Sequence, residues 1–154
     1  MLDVFLACQL LVVLFIGLHD WMPLGRFNDV RAAQAADTRK RLVTVTVVST
    51  LPFAIGLAAS VYYAAAAFPM WLVWLLWISY GVGLYGLLRT WYVPYLLVPD
   101  PVRAARYRTM FGDTHSFLPV RDGIVPNTLH VIFHAIFVAT TVLLICLTGG
   151  RMFS

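Results

Sequence analysis

Long apolar runs separated by short charged stretches dominate this chain, and no sustained strand-like alternation interrupts them. A hydrocarbon core about 30 Å thick needs about 20 helical residues, with a usable range of about 17 to 25. Four runs meet that requirement, over residues 2–18, 42–67, 70–92 and 126–148. In lipid every backbone N–H and C=O must be satisfied within the protein, so each run is expected to be a helix. The pattern predicts an all-α integral membrane four-helix bundle, a single transmembrane domain over residues 1–154. Pro52 near the middle of the second span removes a backbone donor and should kink it. Only Phe68 and Pro69 separate the second span from the third, which implies a tight antiparallel hairpin. Pro126 and Asn127 suit the first turn or cap of the fourth.

Composition supports the same class: 61% of the residues are hydrophobic and the mean hydropathy is +0.83, beyond the range of soluble globular domains. A net charge of +4 raises nucleic acid as a partner. The basic residues, however, lie beside apolar spans, where membrane lipids with anionic headgroups are the nearer partner, so nucleic acid is discounted. Ten of the eleven Lys and Arg residues fall on one side of the expected spans, namely Arg26, Arg31, Arg39, Lys40, Arg41, Arg89, Arg103, Arg106, Arg108 and Arg121. Arg151 stands alone on the other side. The positive-inside rule then places both long connections in the cytoplasm and the N and C termini on the non-cytoplasmic side. The first run lacks a preceding basic residue and a small-residue cleavage site, so it is expected to be retained as a helix. Cys8 and Cys146 lie within apolar runs and read as packing residues.

Close helix approach is expected where small residues recur four apart, at Gly56 and Ser60 in the second span and Ser79 and Gly83 in the third. The alternative reading is that the glycines of the third span, with Gly81 and Gly86 beside Gly83, simply accommodate Tyr80 and Tyr85. The segment 101–111 has a loosely helical pattern in which Val102, Ala105 and Met110 alternate with arginines. It would either lie on phosphate headgroups or serve as a solvated basic loop.

Candidate chemistry gathers at the basic face. His130 and His134, four apart, project from one side of the fourth helix, a spacing that offers two imidazoles to one metal. His19 ends the first span and His115 lies in the loop before the fourth, so all four histidines are expected near one membrane face. His130 and His134 are the first candidate ligands, His115 the next, and His19 or Asp20 the last. Imidazole with carboxylate suits zinc or non-haem iron, whereas haem is disfavoured for the His130 and His134 pair because both share a face. Asp20 and Asp113 are the candidate acid or base residues, and no HExxH glutamate is present. Trp91 and Tyr95 would line a site for a lipid-soluble substrate, and Arg26 and Arg121 would either clamp a charged headgroup or enforce topology. These features point to a metal-dependent enzyme. A small transporter or channel, expected as a homo-oligomer because four short spans offer little room for a pore in one copy, and a structural accessory subunit remain alternatives, as does a histidine set that merely satisfies itself.

The motifs His115-Ser116-Phe117-Leu118-Pro119, Pro126-Asn127-Thr128-Leu129-His130 with His134, and residues 21–29 after the first span together resemble a group of small bacterial four-span membrane proteins. The resemblance implies a bacterial inner membrane as the setting and brings no activity with it.

Overall fold

The computed structural model describes residues 1–152, with side chains described as far as Gly149, so Arg151 is placed only by its backbone. Among the described residues the regular elements are all helices and no strand is present. Its elements are α1 (Leu2–Leu18), α2 (Val30–Ala35), α3 (Arg39–Tyr62), α4 (Met70–Leu96), α5 (Pro101–Phe111) and α6 (Thr128–Met152). Three helices, α3, α4 and α6, are long and apolar enough to cross a membrane. Helix α1 is equally apolar but has 17 residues.

The four apolar helices pack in a ring, α1 against α3 and α6, and α4 against α3 and α6. Phe5, Val12, Phe53, Leu72, Leu76, Tyr80, Phe137 and Leu144 form its core. Gly56 earns its place on α3 by close approach, since a Cβ there would lie 2.9 Å from the Leu76 side chain of α4. Gly83 serves a different pair: a Cβ there would meet the Phe137 ring of α6, so the expected α3–α4 seam of small residues holds at Gly56 but not at Gly83.

Where the ends of the helices lie differs from the hydropathy pattern, for local reasons. Helix α3 stops at Tyr62, and the turn that joins it to α4 covers residues 63–69 rather than Phe68 and Pro69 alone. Alanines 64–67 are apolar enough to extend the run, but Pro69, which fixes its own φ and biases Phe68 toward extended backbone, closes it. Helix α4 continues past Tyr92 to Leu96 through a π-helical turn at Leu88–Tyr92. Pro94 cannot donate to the Thr90 carbonyl four residues back, and that carbonyl instead accepts the Tyr107 hydroxyl at 3.0 Å.

At the end of the bundle where the long connections gather, each helix start is capped by a side chain. Asp29 accepts from the Ala32 N–H, Thr38 from Arg41 and Asp100 from Arg103. Helix α5 buries Ala104, Tyr107 and Phe111, one face at i, i+3 and i+7, with Ile124, Val125, Trp91 and Tyr95. Of the apolar residues singled out in this segment, Met110 packs against that cluster, whereas Ala105 is exposed and Val102 is 83% exposed. Asp122 and Gly123 both have positive φ, and Arg121 and Ile124 exchange backbone hydrogen bonds of 3.2 and 2.9 Å across them. That is the two-residue turn for which an Asp-Gly pair is suited.

Asp37 ties the first long connection to the second. Its carboxylate lies 2.7 Å from Arg106 of α5 and 3.0 Å from Arg41 of α3. The Arg106 hydrogen bond holds the Asp37 pKa below its ordinary value, and the Arg103 backbone N–H does the same for Asp100. Because both carboxyls are shifted down on folding, their contribution is complete above the ordinary aspartate pKa of about 3.9 and is lost as pH falls through the lower folded values. Hydrogen-exchange protection factors over residues 30–41 and 101–111, referred to the intrinsic rate at each pH, should therefore fall on acidification through that window. Asp37→Asn should show the lower protection already at neutral pH, and an acid response unchanged by that substitution would remove Asp37 from the account.

Candidate functional site

Asn127, fully buried, organises the loop end of the bundle. Its Nδ2 donates to the Phe27 carbonyl at 2.9 Å and to Thr114 Oγ1 at 2.6 Å. A carbonyl only accepts, and the Thr114 hydroxyl already donates to the Phe111 carbonyl, so the amide orientation is fixed. Its Oδ1 then accepts from the His130 N–H at 3.2 Å, an N-cap bond for α6, and faces His130 Nδ1 at 3.1 Å. An amide oxygen has no proton to give, so Nδ1 carries the hydrogen and neutral His130 keeps its lone pair on Nε2.

Ring contacts bring three histidines together. The His19 and His130 centroids are 5.3 Å apart, and those of His130 and His134 are 6.3 Å apart. His130 and His134 are buried, and His19 is half-buried at the end of α1. Nδ1 of His19 donates to the Phe15 carbonyl at 2.9 Å, and its Nε2 lies 3.3 Å from Asp20 Oδ1. His115 stands apart: its Nδ1 hydrogen-bonds Thr128 Oγ1 at 2.8 Å, its N–H donates to the Arg26 carbonyl and its ring packs on Phe27. Among the described residues no group of three or more His, Cys, Asp or Glu side chains is arranged to hold a metal ion.

Aromatic rings enclose the imidazoles. Trp91, set on the π-helical turn, stacks on His130 at 4.7 Å and meets His134 edge-on at 5.4 Å. Phe111 of α5 lies 4.9 Å from His130, and Trp91 also packs on Tyr107 at 4.5 Å. On the other side Phe15 stacks on His19 at 4.5 Å and on Phe133 at 4.0 Å. Burial pushes the Tyr107 phenol above its ordinary pKa, which keeps its proton available to the Thr90 carbonyl.

Below these rings a cavity of about 690 Å³ runs between α1, α3, α4 and α6. His19, His130, His134, Thr90 and Trp91 line its loop end, and the rest of its wall is mainly apolar. Pro52 and Val48 both line it, and Pro52 leaves the Val48 carbonyl without its helical donor. The remaining sequence candidates lie elsewhere. Asp113 and Arg26 line a separate surface cavity of about 320 Å³ formed by the connections. The Arg26 guanidinium sits over the Phe27 ring at 5.3 Å. Arg121 is exposed in its turn, and the Tyr95 hydroxyl donates to the Pro119 carbonyl at 2.9 Å. Sequence reasoning singled out neither Phe15, Tyr107 nor Phe111, and took Asn127 only as a helix cap.

Asn127→Ala should destabilise the fold by about 1–3 kcal/mol, because it removes a cap and strands the groups that Asn127 satisfies. Tyr107→Phe, which removes one hydrogen bond to the Thr90 carbonyl, should cost about 1 kcal/mol. Thermal unfolding in detergent, compared with wild type, measures both; an Asn127→Ala protein as stable as wild type would contradict the assignment. No family model matches the chain, and no curated protein or solved structure matches it either, so the functional reading rests on the geometry of the site.

Proposed function

We propose that the protein is a multi-pass membrane enzyme that takes a lipid-soluble substrate into the cavity between its helices and acts on it with the imidazoles at the cavity's loop end. The observation that carries this reading is the make-up of the cavity wall, largely apolar over about 690 Å³ with His19, His130 and His134 gathered at one end. An apolar chamber with a few convergent polar groups is the usual form of a small-molecule site. In this reading α1 is a fourth span: its 17 residues cover about 25 Å at 1.5 Å each, short of the hydrocarbon core by an amount that local thinning of the bilayer accommodates. The basic connections then face the cytoplasm, both termini lie outside, and a bacterial inner membrane is the setting.

A metal ion at the same imidazoles is the second part of the proposal, favoured by the lone pair that Asn127 reserves on His130 Nε2. Two imidazoles sharing one tetrahedral ion at 2.0–2.1 Å place their centroids roughly 5 Å apart, which the His19–His130 pair meets at 5.3 Å, whereas the His130–His134 pair at 6.3 Å would have to turn its rings inward to share the ion. His130 and His134 are the first ligands and His19 the third, leaving room for water or substrate; zinc or non-haem iron fits these donors. The Phe15 carbonyl serves as the outer acceptor at His19 Nδ1, His19 would bind the ion by Nε2 in place of its Asp20 contact, and His115 positions Thr128 instead of binding the metal.

Metal quantification on protein purified without chelators tests this. Wild type should carry stoichiometric zinc or iron, and the variant with both His130→Ala and His134→Ala should carry none. Wild type free of metal under those conditions would remove the metal from the mechanism.

A further inference from the structure

We propose that the occupant of the large cavity is an uncharged long-chain alcohol drawn from the bilayer, with its hydroxyl at His130 and its chain between α3 and α4. The proposal rests on the reading of that cavity as the substrate site, specifies its ligand, and concerns the protein without a metal ion, in which His130 Nε2 is free to accept a hydrogen bond.

Charge gives the first argument. The lining residues, from Phe15 on α1 to Phe137 on α6, include no Asp, Glu, Lys or Arg. A carboxylate or phosphate drawn into this space would lose its hydration without gaining a fixed counter-charge, which is prohibitive in an apolar interior. An uncharged head meets no such penalty.

Hydrogen-bond chemistry gives the second. His130 spends its Nδ1 hydrogen on Asn127 and has only the Nε2 lone pair to offer, so its partner must be a donor. Ketone, ester and ether oxygens are acceptors only and do not meet that need. A hydroxyl does, and it keeps lone pairs for a second partner. His134 lines the same cavity and makes no hydrogen bond to the described protein, so its ring N–H is available to the alcohol oxygen.

The third argument is access. Val48 of α3 and Ile78 and Val82 of α4 line the cavity and are 64%, 59% and 67% exposed. The cavity therefore opens sideways, between α3 and α4, toward the lipid that surrounds these helices in the proposed setting. Gly86 marks the same wall: a Cβ there would meet nothing within 4 Å. A glycine inside a helix weakens it, and here no neighbouring atom calls for one, whereas Gly83 is required by the Phe137 ring. The empty space beside Gly86 is the room in which the chain lies.

Scintillation-proximity binding of tritiated 1-hexadecanol to detergent-solubilised protein tests this, with hexadecane and hexadecyl phosphate as competitors and with and without EDTA. Wild type should bind the alcohol saturably and prefer it by about tenfold or more over either competitor, the effect of one buried hydrogen bond or more. Gly86→Leu should abolish binding with a thermal midpoint at or above that of wild type. His130→Phe should still bind the chain but lose the preference for alcohol over alkane. Hexadecyl phosphate competing as well as the alcohol, Gly86→Leu binding like wild type, or folded wild type without saturable binding would each overturn the proposal. Saturable alcohol binding by wild type that carries no metal as purified would sink the metal proposal alone, and wild type that carries stoichiometric metal but ignores the alcohol once stripped by EDTA would sink this one alone.

Discussion

One amide side chain governs the loop end of this molecule. Asn127 is buried where two connections meet the start of α6, and each of its polar atoms is committed. Its hydrogens hold the Phe27 carbonyl and Thr114, and its oxygen caps α6 and takes the His130 Nδ1 hydrogen. A buried polar group left unpaired is costly, so the four partners are fixed together or not at all. From this follow the seating of the connections on the bundle and the direction in which His130 presents its lone pair.

The aromatic enclosure depends on a second backbone constraint. Pro94 frees the Thr90 carbonyl, and Tyr107 of α5 reaches across to satisfy it. That bond anchors α5 against the π-helical turn and sets Trp91, Tyr107 and Phe111 beside His130. The chamber below then combines a wall that suits hydrocarbon with imidazoles at one end, which is the basis of the proposed function.

Hydropathy made the long helices legible, because lipid leaves a spanning backbone few options. It read their ends less well. Alanines 64–67 are apolar yet lie in the turn, and the helix through Trp91 and Tyr92 continues because a π-helical turn, invisible to hydropathy, absorbs the proline after it. The shared face of His130 and His134 was readable from a four-residue spacing, whereas the contact of His19 with His130 depends on how α1 packs on α6, which the spacing leaves open. His115 shared that face but not the site, since a loop residue's depth says nothing of its direction; its ring and backbone hold Thr128 and Arg26. Only a loosely helical pattern was readable in α5; its packed face is carried by Tyr107 and Phe111, whose apolar area burial rewards.

The central claim is that Asn127 holds His130 in the tautomer with its proton on Nδ1 and its lone pair on Nε2. Nitrogen-15 NMR of histidine-labelled protein, with the His130 signal assigned by its loss in His130→Phe, measures this directly. The account requires a protonated Nδ1 and a bare, pyridine-type Nε2 in the metal-free protein at neutral pH. A His130 ring protonated on Nε2, with bare Nδ1, would contradict it.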